Sequence, residues 1–507
     1  MLRDRVLVDK FEVFITVVVA LLIIPMSLVA QSSTLDVGEV LRLVLERNAA
    51  VQIADALERQ AEALHRQALA DSKPQIDLQM DPAYGYSTGV LTGPACTPPV
   101  LPDQKTDVSL GLSLSQALPT AGIASLSLGN TMSLTNYPDP EPDTISQNPS
   151  ITIVVNQPVG VNKKLFDLRQ LSAAERVSEI NWRKAQDGSL EARNGNIYAA
   201  FSLYTEAIDL HRNIEYLEDS LELADQNLRQ VRINLDAGRA SETDLLELEI
   251  LSGLQREALL ESRYALLQVE QALANALGLE TGLSAYEYID TFPLPALPAD
   301  TAELVTEART NNPAVRQDRL SVEQAEAQGI LSGRTGAPNL SVALTMLPRY
   351  EGTTPSEFGG SFSSFFSDGT ELDWSVAIGL EVPLYDGGKR TYRDQVNAAV
   401  QRIARETLDA SLREVRNTYE ALILRHSIIN DRIDLLEKNI ELKTRSTADE
   451  RRKLEVGLGT PLRVESARLE LLKVQNELWQ ARADLFLNTL DLLNLSGRSL
   501  EKVLAEL

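Results

Sequence analysis

The chain has 507 residues, with 48 Lys plus Arg against 72 Asp plus Glu, and a formal net charge of −24. That balance excludes a nucleic-acid binder, which needs a basic footprint, while one cysteine and three scattered histidines (His65, His211, His426) exclude a disulfide framework and a His/Cys metal site. Few aromatics, much Leu and Ala, and a length beyond one compact core point to an elongated, helical protein.

Residues 1–30 have the layout of a secretory signal peptide: an apolar run from Val13 to Ile24, then Pro25 and a small-residue end at Ala30. Arg3, Arg5 and Lys10 are balanced by Asp4, Asp9 and Glu12, so a retained anchor is the alternative. Beyond Ala30 no apolar stretch approaches the ~20 residues of a membrane helix. Any further entry into a membrane is by strands.

The remainder reads as two unequal copies of one unit, 31–291 and 301–497, joined by a Pro-rich linker over 292–300 and followed by a tail over 498–507. Arg47 to Gln52 aligns with Asn311 to Arg316, Pro74 with Pro338, Pro158 with Pro383, and Gly238 with Gly457. The first copy holds 39 extra residues between Pro74 and Pro158. Its predicted elements are helices over 35–72, strands over 75–158, a long helix over 162–236 and a return helix over 241–277. The second repeats them over 301–334, 339–383, 388–455 and 461–495.

In the strand blocks apolar residues alternate with small or polar ones: Ile76, Leu78 and Met80; Val108 to Leu114; Leu126 to Leu134; Ile151 to Val155; Leu340 to Met346; Leu372 to Val382. Period two means strands with two unlike faces. A soluble sandwich is the plain reading. The long Pro/Gly/Ser-rich loops Ser87 to Lys105, Asn136 to Asn148 and Leu347 to Glu371 favour a transmembrane barrel. Leu118 to Gly122 reads as a tight turn, and we expect the extra residues to form a hairpin at the rim, with two crossings in the first copy and four as the alternative.

In the long helices the heptads are sustained. Ala200, Leu203, Ala207, Leu210, Ile214, Leu217, Leu221, Ala224, Leu228, Val231 and Leu235 follow gaps of three and four, as do Val464, Ala467, Leu471, Val474, Leu478, Ala481 and Leu485. Helices this long, about 100 Å, fit no globular core and read as a wall. Gly238 and Gly457 supply the positive-φ residue that ends a helix. Ser241 caps the return helix with Asp244 in a capping box, and Thr460 caps the other with Pro461 at its first position. Pro158 and Pro383 mark strand-to-helix passages, the second followed by Gly387 and Gly388.

In these features, each occurring twice and in one order, the chain resembles the TolC-type outer-membrane efflux proteins. The carrying residues are Leu35 to Asn48 with Ala302 to Asn312, Glu381 to Arg390, and the turns Gly238 to Leu246 and Gly457 to Val464. The resemblance implies an α+β membrane protein. In it a homotrimer shares one β-barrel in outer-membrane lipid and one helical cylinder in the periplasm, and works with an inner-membrane pump and a periplasmic adaptor, without cofactor or enzymatic activity. It also implies four strands per chain, two per copy. Acidic residues narrow the inner tip in the family; Asp244 and Glu465 stand at such positions, with Arg468 where another acid is common. A latching Tyr and Arg would fall near Val456 and Pro461, so a latch of that kind is missing.

Plainer roles stand beside these: capping for Asp244, a surface pair with Arg468 for Glu465, and a solvated helix end for Arg451 to Lys453, whose sharper reading is an adaptor-docking surface. Cys96 is incidental or pairs between molecules. A structural envelope-spanning coiled coil without transport would explain the heptads but not the repeated strand block. A secreted enzyme finds no nucleophile motif, metal spacing or phosphate loop.

Overall fold

The computed structural model describes residues 33–86, 104–118, 122–136, 144–159, 169–280, 283, 286–295, 297, 301–332, 338–348, 350–352 and 372–506. The signal-peptide segment, Cys96 and most of the three long strand loops lie outside the described residues.

The chain opens with β1 (Ser33–Leu35), α1 (Val37–Arg47) and α2 (Ala49–Asp71), so the helical stretch expected over 35–72 starts as a strand and breaks at Asn48. Four strands follow: β2 (Gln75–Tyr86), β3 (Gln104–Ala117), β4 (Ile123–Asn136) and β5 (Thr144–Pro158). Then come α3 (Arg169–Asp236), α4 (Glu242–Ala276) and β6 (Tyr286–Tyr288). The second half has α5 (Thr301–Asn311), α6 (Pro313–Ser332), β7 (Asn339–Pro348), β8 (Tyr350–Gly352), β9 (Leu372–Glu381), α7 (Lys389–Glu455), α8 (Pro461–Leu495) and α9 (Leu500–Ala505).

The strands form one antiparallel sheet in the order β2-β3-β4-β5-β7-β9, with β8 continuing beside β5. Its register carries an unbroken aliphatic row across six strands: Ile76, Leu114, Leu126, Ile153, Leu344 and Val376. A second row runs Leu78, Leu112, Leu128, Ile151, Met346 and Trp374. Between them, on the opposite face, lie Asp77, Ser113, Ser127, Thr152, Thr345 and Ser375. Period two in the sequence thus becomes one apolar and one polar face. The apolar face is open: Ile76 and Leu78 are each 71% exposed and Trp374 68%.

Two expectations are corrected here. The extra residues of the first copy make no rim hairpin, because β3 pairs with β2 along its whole length, from Gln75 opposite Ser115 to Tyr86 opposite Gln104. The β3–β4 turn sits at the helical end, closed by the Leu118 N–H donating to the Gly122 carbonyl at 2.8 Å. The loop expected over 136–148 is also shorter, since β5 begins at Thr144. The register sets Pro149 opposite Pro348, two residues without N–H, and the ladder lapses there and resumes at Gln147 and Tyr350.

The helices form two antiparallel hairpins. In the first, Arg232 meets Glu249 at 2.8 Å and Arg263 meets Glu218 at 2.6 Å; in the second, Arg482 meets Glu437 at 2.9 Å. The heptad residues of α3, from Ala200 to Leu235, are all buried or half-buried. At 68 and 67 residues, α3 and α7 are each about 100 Å long. The main core lies where the hairpins meet the short elements, with Phe201, Tyr204 and Phe486 fully buried among Leu35, Leu43 and Leu273. There β1 pairs in parallel with β6, a pairing without a local sequence signal, and the Tyr204 hydroxyl lies 2.6 Å from the carbonyls of both Leu35 and Ile289. The expected C-terminal tail is instead docked, because Leu500 and Leu504 of α9 are buried in this core.

Candidate functional site

The tips of the two hairpins are built alike up to one difference. Gly238 and Gly457 have φ of 68° and 77°, and each closes its long helix by backbone bonds to the preceding turn. Ser241 accepts from the Asp244 N–H at 3.1 Å, and Asp244 accepts from the Ser241 N–H at 2.8 Å, a complete capping box. Those bonds, the backbone one foremost, hold the Asp244 carboxyl below its ordinary range. Thr460 departs from expectation: it stands at the N-cap in extended conformation, but its hydroxyl makes no capping bond. With Pro461 at the first helical position, the Arg463 N–H turns back to the Thr460 carbonyl at 3.1 Å, which leaves the hydroxyl no donor to cap at that position.

Glu465 pairs with Arg468 at 3.5 Å, and Arg468 also reaches Asp219 of the other hairpin at 3.6 Å. The structure therefore joins Glu465, Arg468 and Asp219 and leaves Asp244 in its own cap. In the basic run near Gly457, Arg452 pairs with Asp449 at 3.6 Å and Lys453 with Glu450 at 2.6 Å, both one turn back on α7.

At the sheet-to-helix passages Pro158 is the last residue of β5, and Pro383 stands two residues beyond β9. Gly387 and Gly388 take φ of 67° and 84°, and Gly388 is the N-cap of α7. A glycine cannot cap with a side chain. Asp386 does so instead, accepting from the Arg390 and Gly388 N–H groups at 2.9 Å each, which lowers its carboxyl below the ordinary range. Sequence reasoning quoted Asp386 inside the Glu381 to Arg390 motif and gave it no role; an Asx residue three before the helix start was the available signal.

The sequence alignment had also paired Asn48 with Asn312 without a function for either. Asn48 caps α2, accepting from the Ala50 and Val51 N–H groups at 2.8 and 3.1 Å, and donates to the Ala276 carbonyl at 2.7 Å. Asn312 repeats this at α6, accepting from Ala314 and Val315 at 3.0 and 3.2 Å and donating to the Leu495 carbonyl at 3.0 Å. Each asparagine fastens a short helix pair onto the end of the return helix of its own half. Gly278 and Gly497, at positive φ, admit that approach: a Cβ would lie 2.5 Å from the Arg47 carbonyl oxygen and 2.2 Å from that of Asn311.

On the polar face of the sheet, Asp77, Asp81 and Asp107 stand in line with Ser, Thr and Gly, Asp107 accepting a short bond from Ser133. Among the described residues no group of three His, Cys, Asp or Glu is placed to hold a metal ion, and no helix is long and apolar enough to cross a membrane. The geometry offers a polar-lined sheet face, two long helical walls and a pair of tip turns, one of them closed by a capping box.

Comparison with known proteins agrees with this geometry. The family model described as outer membrane efflux protein matches residues 304–498, the second half. Outer membrane efflux protein BepC of Brucella suis biovar 1 is 22% identical over 351 residues, 67% of this chain and 71% of that protein. The crystal structure of the outer membrane protein VceC from Vibrio cholerae superposes with a TM-score of 0.59 at 15% identity, covering 91% of this chain and 96% of that one. The CmeC outer membrane channel of Campylobacter jejuni superposes with a TM-score of 0.61 at 12% identity, covering 91% and 85%. With the repeated helix pairs, tip turns and two-faced sheet in place beside these matches, the second half of the chain is similar to the outer membrane efflux protein family, and the chain shares the fold of the outer membrane channels it superposes on.

Proposed function

We propose that three copies of this chain form an exit duct that spans the outer membrane with a shared β-barrel, crosses the periplasm as a helical cylinder, and receives cargo from an inner-membrane pump through a periplasmic adaptor. The two-repeat division at 31–291 and 301–497 is part of that reading. The observation that carries it is what one copy leaves uncovered. The apolar face of the sheet is exposed, as are stripes at helical spacing on α4 (Leu246, Ile250, Leu254) and α7 (Leu424, Ile428, Leu435). An open sheet cannot face lipid with free edges, and apolar helix stripes of that length require neighbours. Three-fold closure supplies both. The tip turns then converge at the inner end, where Asp244 and Glu465 supply negative potential that Arg468 offsets at Glu465, and Arg451 to Lys453 face the adaptor.

Detergent extraction of the outer-membrane fraction should yield a trimer, and a photo-crosslinker at Arg451 should capture a periplasmic adaptor. A monodisperse monomer recovered from the periplasm overturns the duct.

A further inference from the structure

We infer that the β3–β4 hairpin crosses the membrane with the other strands, so that each chain contributes six transmembrane strands and the trimer closes an eighteen-stranded barrel by pairing β2 of one copy with β9 of the next. The inference rests on the trimeric duct proposed above and concerns how wide its outer portion is.

Three observations carry it. The hairpin continues both faces of the sheet: Leu112 and Leu128 stand in the same aliphatic row as Leu78, Ile151, Met346 and Trp374, and Ser113 and Ser127 in the polar row with Asp77 and Thr152. At 14 residues each, β3 and β4 exceed the ~10 residues a tilted membrane strand needs, and the 10 residues of β7 and β9 meet it. Finally, the β3–β4 turn lies at the helical end, beside the starts of β2 and β7 and the ends of β5 and β9, so the hairpin reaches from that end to the far one. A hairpin with this register cannot leave the bilayer while β2 and β5 stay in it, because its aliphatic rows lie between theirs.

Closure follows from the order of strands. An even number of antiparallel strands leaves β2 and β9 running in opposite directions at the two edges, so β2 meets the β9 of a second copy antiparallel and in the common strand spacing. For a tilt near 40° and a spacing of ~4.8 Å, eighteen strands give a backbone diameter of roughly 36 Å against roughly 24 Å for twelve, or about twice the cross-section. The outer barrel is then no size filter. Selection by size falls to the tips, and bulky cargo can leave freely.

The test uses the full chain in liposomes, in a Cys96→Ser background, with spin labels at Leu112→Cys, Leu128→Cys, Ser113→Cys and Ser127→Cys. Labels at the two leucine positions should be relaxed by oxygen dissolved in lipid, and those at the two serine positions by a water-soluble nickel complex. Four labels in water, on a protein that is still trimeric by native mass, overturn the six-strand barrel and leave the duct standing. A monomer from the unaltered chain overturns the duct itself. Deleting residues 104–136 joins β2 to β5 with Ile76 facing Ile153, and end-on electron-microscopic images should then show a barrel cross-section reduced about twofold; an unchanged cross-section also overturns the inference. If the deletion does not assemble, the spin labels decide.

Discussion

Gly497 shows how tightly one residue can be specified. It combines a φ of 79° with an approach that would set a Cβ 2.2 Å from the Asn311 carbonyl oxygen, and Asn311 is the last residue of α5. Gly497→Ala should therefore destabilise the protein by about 3 kcal/mol, read as a lower unfolding temperature of the extracted protein. Gly238→Ala, with open space around its Cβ, should cost only about 1 kcal/mol. Equal losses would remove the close approach as the cause. Asp209 on α3 offers a pH test. Burial, reinforced by Asp484 and Glu206, raises its carboxyl above the ordinary 3.8. The folded state thus holds this proton more tightly than the unfolded chain, so the stabilisation is complete below the unfolded value and is lost as pH rises through the folded one. The protein's unfolding temperature should drop over the range above about pH 4, and Asp209→Asn should flatten that drop. A variant with the same pH slope as the parent would show that Asp209 is not its source.

Among elements, the long hairpins depend on one seam. Leu217 lies in the heptad run of α3, and Leu217→Asp places an unpaired charge there, at several kcal/mol. Trimer yield should fall sharply. Glu218, one residue on, is exposed and pairs with Arg263 at 2.6 Å on the surface, a contact of about 0.5 kcal/mol, so Glu218→Asp should leave the yield unchanged. Equal yields from the two variants would refute the register. The seam was legible because a 3.5-residue period over five heptads has one solution. The strands were legible as strands for the same kind of reason. Their number was not: alternation says which residues share a face but not which strand lies beside which.

For the whole molecule the testable quantity is ion selectivity. A duct whose sheet presents Asp77, Asp81 and Asp107 on its polar face should conduct cations in preference to anions in planar bilayers. Asp77→Asn with Asp81→Asn should bring the permeability ratio toward unity without changing trimer yield; an unaltered ratio would take that face out of the bore. Block by a trivalent cation from the periplasmic side reads the tips separately. It should weaken more in Asp244→Asn than in Glu465→Gln, because Glu465 already has Arg468 at 3.5 Å while Asp244 has no basic partner in its capping box. The reverse order would place the focused potential elsewhere.

By itself the sequence determined what depends on neighbours along the chain: the heptad seams, the two-faced strands, the glycine that ends each long helix, the Ser241–Asp244 box and the repetition of all of these. Such features follow from backbone geometry and hydrophobic period, which act over a few residues. Only the tertiary structure decided what depends on residues far apart. It joined β1 to β6, put α9 into the core, set β3 and β4 within the main sheet, and brought Asn48 to Ala276 and Asn312 to Leu495. It also left Thr460 without the capping bond that its residue type suggested, because Pro461 tightened the turn around it. A local signal states what a residue can bond to; which partner stands within 3 Å is decided by packing.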